Sequence, residues 1–335
     1  MILVTGATGL VGSHLLYSLL KDNQRVRAIH RSSSNLNTVR NLFANFTSEA
    51  DRLFEKIEWV EANVTEIPAL TDAFKDITHV YHCAAYISFN PKHYRKLKKA
   101  NVEGTANIVN LCLANNVQKL CYMSSVATLG IPIKGDLINE NTAWNPEDNN
   151  SVYAISKYGA ELEVWRGAQE GLKTVIVNPG VILGEGSPNS GSSIIIKQAA
   201  RSTSFYTSGG MGIVDVKDVV SASIALMEST TVNRNYVLVG KNLRYRDLLA
   251  ELAIHLKKEA PRHHIPKWIF SFLRMGDWMS SKLLGTKRKL LKSTINSLYK
   301  TSYYDASRIE KEMNFKFTPY EETIKRVASN FRLNG

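Results

Sequence analysis

Short apolar runs alternate with longer stretches of helical periodicity through the first half of the chain. The runs lie at 2–4, 26–29, 57–60, 79–82, 120–123 and 174–177, and helical patterns fill 9–21, 36–53, 68–74, 93–115 and 151–169. Near-continuous apolar runs suit strands buried on both faces, and helix-length spacers between them predict a parallel sheet wrapped by helices on both sides. After Asn178-Pro179-Gly180 the alternation fades into a Gly/Ser-rich stretch at 184–193, and 213–227 and 236–239 predict a return to the sheet. The expected fold class is α/β, a doubly wound parallel sheet over 1–178 with a returning segment at about 211–240. Residues 179–210 and 241–335 are expected to form a smaller, interleaved substrate-binding portion.

The first run leads directly into Thr5-Gly6-Ala7-Thr8-Gly9-Leu10-Val11-Gly12, with Leu15 and Leu19 following at helical spacing. Glycines at a strand-to-helix turn allow a sharp bend, close approach of a pyrophosphate and tight packing of helix on strand. The free N–H groups at the helix start then face the phosphates. The spacing is G-x-x-G-x-x-G rather than G-x-G-x-x-G. It marks Gly6, Thr8, Gly9, Leu10, Val11 and Gly12 as a dinucleotide site.

Bulk properties narrow the classes. Of 335 residues, 44% are apolar and 21% charged, with no low-complexity tract and no apolar run of membrane-spanning length. Met1 abuts the first run, so no signal peptide is expected. Cys83, Cys112 and Cys121 each lie in an apolar segment, as free thiols do in a reducing compartment, so a cytoplasmic protein without disulfides or a metal site is expected. The net charge of +12 is uneven: Lys257, Lys258, Arg262, Lys267, Arg274, Lys282, Lys287, Arg288, Lys289 and Lys292 face only Glu259 and Asp277 within 257–300. That segment also carries Trp268, Phe270, Phe272 and Trp278. It reads as the solvated face of a substrate-side helix or as a peripheral membrane contact. No nucleic-acid motif accompanies the charge, so no nucleic-acid partner is expected.

Tyr153 and Lys157 stand four residues apart, one turn along the same helix face. A phenol ionises near pH ~10, so proton transfer at neutral pH needs its phenolate stabilised, which a neighbouring ammonium and a cationic nicotinamide can do. Ser124-Ser125 follows the run 120–123, where a parallel sheet presents groups to a ligand. Ser125 is the candidate donor to a substrate oxygen whose proton Tyr153 delivers or removes, and Ser124 is expected to be structural.

The glycine loop, His82-Cys83-Ala84-Ala85, the Ser124-Ser125 strand end, Tyr153-x-x-x-Lys157 and Asn178-Pro179-Gly180 together resemble the extended short-chain dehydrogenase/reductase superfamily, in its NAD-dependent epimerase/dehydratase family. The match is close over 1–185 and looser at Asp215-Val216-Lys217-Asp218-Val219, and it leans to the dihydroflavonol-reductase and 3β-hydroxysteroid-dehydrogenase branch. The resemblance implies a Rossmann sheet, Tyr153 as acid/base, Lys157 also bonded to the nicotinamide ribose, and Ser125 as oxygen donor. It further implies Asn101 ordering the site's water, and Ala84, Ala85, Pro179 and Val181 lining the cofactor. A homodimer through the helices of 93–115 and 151–169 is expected by analogy.

An acid after the second strand favours NAD, and this chain has His30-Arg31-Ser32 there instead. Arg31 with Ser32 suits the 2′-phosphate of NADP, so NADP is preferred over NAD. Asn63 and Val64, after the third run, are placed at the adenine. Val126-Ala127-Thr128 offers no carboxylate beside Ser125, which disfavours dehydration. The expected function is an NADP-dependent carbonyl reductase or alcohol dehydrogenase acting on a small, hydrophobic ketone, aldehyde or secondary alcohol. Tyr86, Phe89 and Trp268 are its candidate substrate walls. The alternatives are an NAD-retaining sugar-nucleotide epimerase and a non-catalytic dinucleotide sensor, the latter disfavoured by the intact Ser125, Tyr153 and Lys157.

Overall fold

Each apolar run of the first half becomes a strand of one sheet. In this computed structural model, which describes residues 1–132, 137–186, 193–201, 204–284 and 292–334, they form β1 (Ile2–Thr5), β2 (Val26–His30), β3 (Glu58–Glu61), β4 (His79–His82), β5 (Lys119–Met123) and β6 (Thr174–Pro179). Further along run β7 (Val181–Leu183), β8 (Phe205–Tyr206), β9 (Gly210–Asp215), β10 (Arg234–Leu238), β11 (Lys241–Arg244) and β12 (His263–His264). The large sheet is parallel throughout, in the order β3-β2-β1-β4-β5-β6-β10. Successive residues of β1 point to opposite faces: Val4 joins the core of Leu15, Leu16, Val219 and Val220, and Leu3 joins Ile108, Leu120, Val164 and Ile176. Helices therefore cover both faces, as a doubly wound Rossmann sheet requires. Strand order reverses between β1 and β4, and a ligand crevice opens at the carboxyl ends on that line.

Two predicted helices are interrupted. The stretch 36–53 is two helices, Asn37–Ala44 and Ala50–Glu55. Between them Asn45 and Phe46 close three-residue turns and the Thr47 hydroxyl accepts the Glu49 amide, so local side-chain bonding competes with the helix. The stretch 93–115 is a short helix, Tyr94–Leu97, a π-helical turn, Lys98–Glu103, and a helix, Gly104–Ala114.

The returning segment divides between layers. Its helix Val216–Glu228 and β10 join the large sheet, while β9 forms a small sheet in the order β11-β9-β7. The helices Ser193–Ala200, Tyr245–Leu256 and Tyr320–Asn334 close a separate core on that sheet around Ile196, Ile213, Leu248, Leu252, Ile324 and Val327. Cys83, Cys112 and Cys121 are free thiols, pushed above their ordinary range by burial.

One ionic cluster fastens the C-terminal helix to the nucleotide side. Arg326 pairs with Glu185 and with Asp215, both nearly inaccessible. Asp215 also takes the Thr323 hydroxyl (2.7 Å) and caps the helix Val216–Glu228 by accepting the Lys217 amide (2.8 Å). Glu185 connects onward through its carbonyl, which accepts from His14 Nε2 at 2.8 Å. Removing the guanidinium leaves two buried carboxylates without their cation. Arg326→Leu is expected to lower stability by about 3 kcal/mol, read from urea unfolding; a midpoint equal to that of the unaltered chain would show that the cluster does not hold the helix.

Candidate active site

The turn after β1 is shaped for an anion. Gly6 has φ +66°, and a Cβ there would lie 2.6 Å from the Ala84 amide nitrogen, so only glycine fits between the ends of β1 and β4. A Cβ on Gly12 would collide with the Gly6 carbonyl, which fixes how closely the helix Leu10–Lys21 approaches the turn. That helix starts at Gly9 with no side-chain cap and no acidic residue in its first turn. Its first turn brings no carboxylate of its own to the leading N–H groups and positive dipole end, and a pyrophosphate fits them. Gly9 is exposed, Thr8 and Leu10 are half-buried, and Val11 and Gly12 are buried.

At the far end of the crevice, β2 ends at His30 and the side chains of Arg31 and Ser32 are exposed. The Arg31 amide donates to Ser34 Oγ at 3.2 Å and its carbonyl accepts the Ser34 amide, a turn that leaves the guanidinium outward. Asn63 turns on itself: its Oδ1 accepts the Thr65 amide at 3.3 Å. The Val64 carbonyl accepts from Asn107 Nδ2 at 3.0 Å, and its methyl group lies where a Cβ on Gly104 would be. Ala84 is half-buried and its amide donates to Thr5 Oγ1 at 3.2 Å; Ala85 is exposed. Pro179 is buried at the end of β6, and Val181 begins β7 half-buried.

The helix Val152–Gln169 is capped by Ser151, whose hydroxyl accepts the Ala154 amide, and it brings Tyr153 to the end of β5. Tyr153 hydrogen-bonds Ser125, and burial pushes its phenol up to about 12 against that bond. The phenol is thus protonated at neutral pH and able to give a proton to an oxygen held beside Ser125. Phe89 packs against it with ring centres 5.5 Å apart and is half exposed; Tyr86 instead lies near His93, 3.2 Å from its Nδ1. Trp268 stands exposed on the helix Lys267–Leu284, against Phe272.

Lys157 is 1% exposed. Its ammonium donates to Tyr122 Oη and to the Met123 carbonyl, both at 2.7 Å, leaving one of three N–H groups for a ligand. Burial lowers its pKa to about 7. Asn101 sits in the π-helical turn, a feature frequent at functional sites. Its amide group is committed to protein: Oδ1 accepts the Tyr86 amide (2.7 Å), and Nδ2 donates to the Tyr86 carbonyl (3.0 Å) and Ser156 Oγ (2.9 Å). Ser156 in turn donates to the Tyr153 carbonyl, so Asn101 ties the Tyr86 loop to the tyrosine's helix.

Three residues that spacing did not single out for chemistry complete the arrangement. Tyr122 holds Lys157 and also hydrogen-bonds Thr105. Thr105 Oγ1 lies 3.0 Å from His82 Nε2, and His82 Nδ1 lies 2.6 Å from Thr5 Oγ1. Burial, aided by the Lys157 charge, drives His82 down to about 3, so the ring is neutral. Behind Ser125, Glu161 Oε2 accepts from Ser124 (2.5 Å), Thr128 (2.8 Å) and Asn178 (3.0 Å). Ser124 therefore faces a buried carboxylate while Ser125 faces the phenol. Only the apolar character of β5 and the i,i+4 relation of Lys157 to Glu161 hinted at these partners.

The family profile described as NAD dependent epimerase/dehydratase family matches residues 2–240. A Synechocystis protein named after dihydroflavonol 4-reductase is 28% identical over 99% of this chain and 94% of its own length. Cinnamoyl-CoA reductase 1 of Petunia hybrida is 26% identical over 79% of each chain. Among solved structures, gox2253 superposes with TM-score 0.81 and 26% identity, covering 100% of this chain and 98% of its own.

The burial of Lys157 has a measurable consequence in the protein free of ligand. Between about 7 and 10.5 the unfolded chain carries a proton at this position that the folded chain sheds, so this group makes stability rise with pH across that window. Lys157→Met removes the contribution. Relative to the unaltered chain, the variant is expected to be stabler at pH 7 by a few kcal/mol, with the advantage shrinking by about 1.4 kcal/mol per pH unit above it. Parallel stability curves in urea at pH 7 and pH 9.5 would remove the buried charge from the account.

Proposed function

This chain belongs to the NAD-dependent epimerase/dehydratase family, an NAD(P)-dependent enzyme of the extended short-chain dehydrogenase/reductase class, and we propose that it is an NADPH-dependent reductase of a hydrophobic ketone or aldehyde. The observation that carries the reading is the Tyr153 phenol hydrogen-bonded to Ser125, beside a lysine buried at the same strand end. The glycine turn with the uncapped helix Leu10–Lys21 would hold the pyrophosphate, and the free N–H of Lys157 the nicotinamide ribose. When bound, the nicotinamide supplies the hydride. Ser125 donates to the carbonyl oxygen and fixes its place, and Tyr153 gives that oxygen its proton. The third hydrogen of Lys157, with Tyr122 and the Met123 carbonyl holding the other two, keeps positive charge beside the phenolate that remains.

Two details favour net reduction over elimination. Glu161 is the carboxylate nearest Ser124-Ser125 in the hydrogen-bond network, and its Oε2 already accepts three bonds from Ser124, Thr128 and Asn178. Against the Tyr153 phenol packs an aromatic ring, Phe89. For the cofactor, the outward Arg31 and Ser32 after β2 support NADPH, since a guanidinium with hydroxyl neighbours matches a 2′-phosphate.

Calorimetry of NADPH and NADH binding to the stripped protein is the first test. NADPH-selective, reversible binding is expected, whereas co-purified NAD that resists removal would turn the assignment to a cofactor-retaining epimerase. Tyr153→Phe is expected to cut turnover about 10²- to 10⁴-fold with NADPH affinity nearly unchanged; full activity would take Tyr153 out of the reaction. Arg31→Glu is expected to move the NADPH:NADH affinity ratio toward NADH about tenfold or more, and an unmoved ratio would dismiss Arg31 as the phosphate reader.

A further inference from the structure

The helix Lys267–Leu284 exposes Trp268, Phe272, Leu273, Met275 and Trp278. Trp268, Phe272 and Met275 follow at steps of four and three, which aligns them in one stripe, and Trp278 flanks it. They are 64%, 66%, 56% and 47% exposed. The half-buried Ile269 and Phe270 attach the helix to the body, Phe270 with its ring centre 6.1 Å from that of Tyr299. The stripe thus contributes little to this fold.

Its surroundings are cationic. Lys282 Nζ stands 5.3 Å over the Trp278 ring, which places a cation beside the stripe. In sequence Lys257, Lys258 and Arg262 precede the helix, and Glu259 and Asp277 are the only acids in 257–300. Among the described residues no helix is long and apolar enough to cross a membrane. A second copy of the chain on this face would set one basic segment against another. An anionic surface of apolar interior satisfies both the stripe and the charge.

We propose that this face docks on an anionic lipid bilayer, with the helix lying in the headgroup plane, its aromatic stripe inserted and its flanking cations on lipid phosphates. The site at Tyr153 would then work beside a bilayer, a source of apolar molecules; the docking itself stands independently of the reductase reading.

The full chain is sedimented with vesicles of phosphatidylcholine alone and of phosphatidylcholine mixed with phosphatidylglycerol. Binding to the mixed vesicles only, weakened by salt, is expected. Phe272→Ser/Trp278→Ser is expected to weaken it at least about tenfold while NADPH affinity, the check on folding, is unchanged. Lys282→Glu is expected to weaken it about fivefold per unit of charge changed. No binding to anionic vesicles at low salt, or undiminished binding by the double variant, would overturn the proposal. So would a chain that ignores vesicles and forms a dimer which the double variant cannot form, since a second copy would then cover the stripe.

Discussion

An ammonium group removed from water organises the carboxyl end of β5, where Tyr153 and Ser125 meet. Lys157 is 1% exposed, and a phenol oxygen and a backbone carbonyl accept from its ammonium. Those two acceptors belong to β5, so the helix Val152–Gln169 must sit on that strand at one register for the charge to be tolerated. The same desolvation that lowers Lys157 to about 7 raises Tyr153, one turn away, to about 12, so burial favours the neutral form of both groups.

Tyr122 shows how far this constraint reaches. Its hydroxyl faces Lys157 and Thr105, Thr105 faces His82, and His82 faces Thr5 at the start of the glycine turn. A neutral imidazole can donate from one nitrogen and accept at the other, so His82 relays a fixed polarity between hydroxyls without adding a second buried cation. One line of buried polar contacts therefore joins β5, β4 and β1, and the turn that suits a pyrophosphate is registered against the lysine that suits a ribose. On the opposite flank the Arg326 cluster performs a comparable task, linking the C-terminal helix to Asp215, Glu185 and the glycine-turn helix. Geometry at both ends of the crevice is thereby set by charges that the interior holds in place.

The small sheet and its helices have a core of their own, yet the chain enters and leaves that core repeatedly. Asp215 stands at one such passage, between β9 of the small sheet and the helix Val216–Glu228 on the large one. Its carboxylate serves both, capping the helix that follows and pairing with the helix that closes the chain. By contrast, the helix Lys267–Leu284 leaves its aromatic side outside, where the surrounding charge defines what surface suits it.

Local pattern was enough for the sheet and for the residues that share a turn or a helix face. The six runs at 2–4 through 174–177 appear as β1 to β6, each shifted or extended by no more than a residue or two, because burial on both faces writes itself into consecutive apolar residues. Gly6, Gly9 and Gly12, and Tyr153 with Lys157, were legible for the same reason: their relation is set within one turn of chain. The breaks at 45–49 and at Lys98–Glu103 were not, since they depend on side chains that bond locally or turn inward against distant partners. Nor could spacing reveal Tyr122, His82 and Glu161, whose bonds to Lys157, Thr105, Thr5, Ser124, Thr128 and Asn178 span 17 to 77 positions. The amino-acid sequence by itself determined which groups could meet a cofactor and where the strands would run. Only the tertiary structure decided which acceptors hold the lysine and which carboxylates are already engaged, because desolvation and hydrogen-bond competition exist only once the elements are packed.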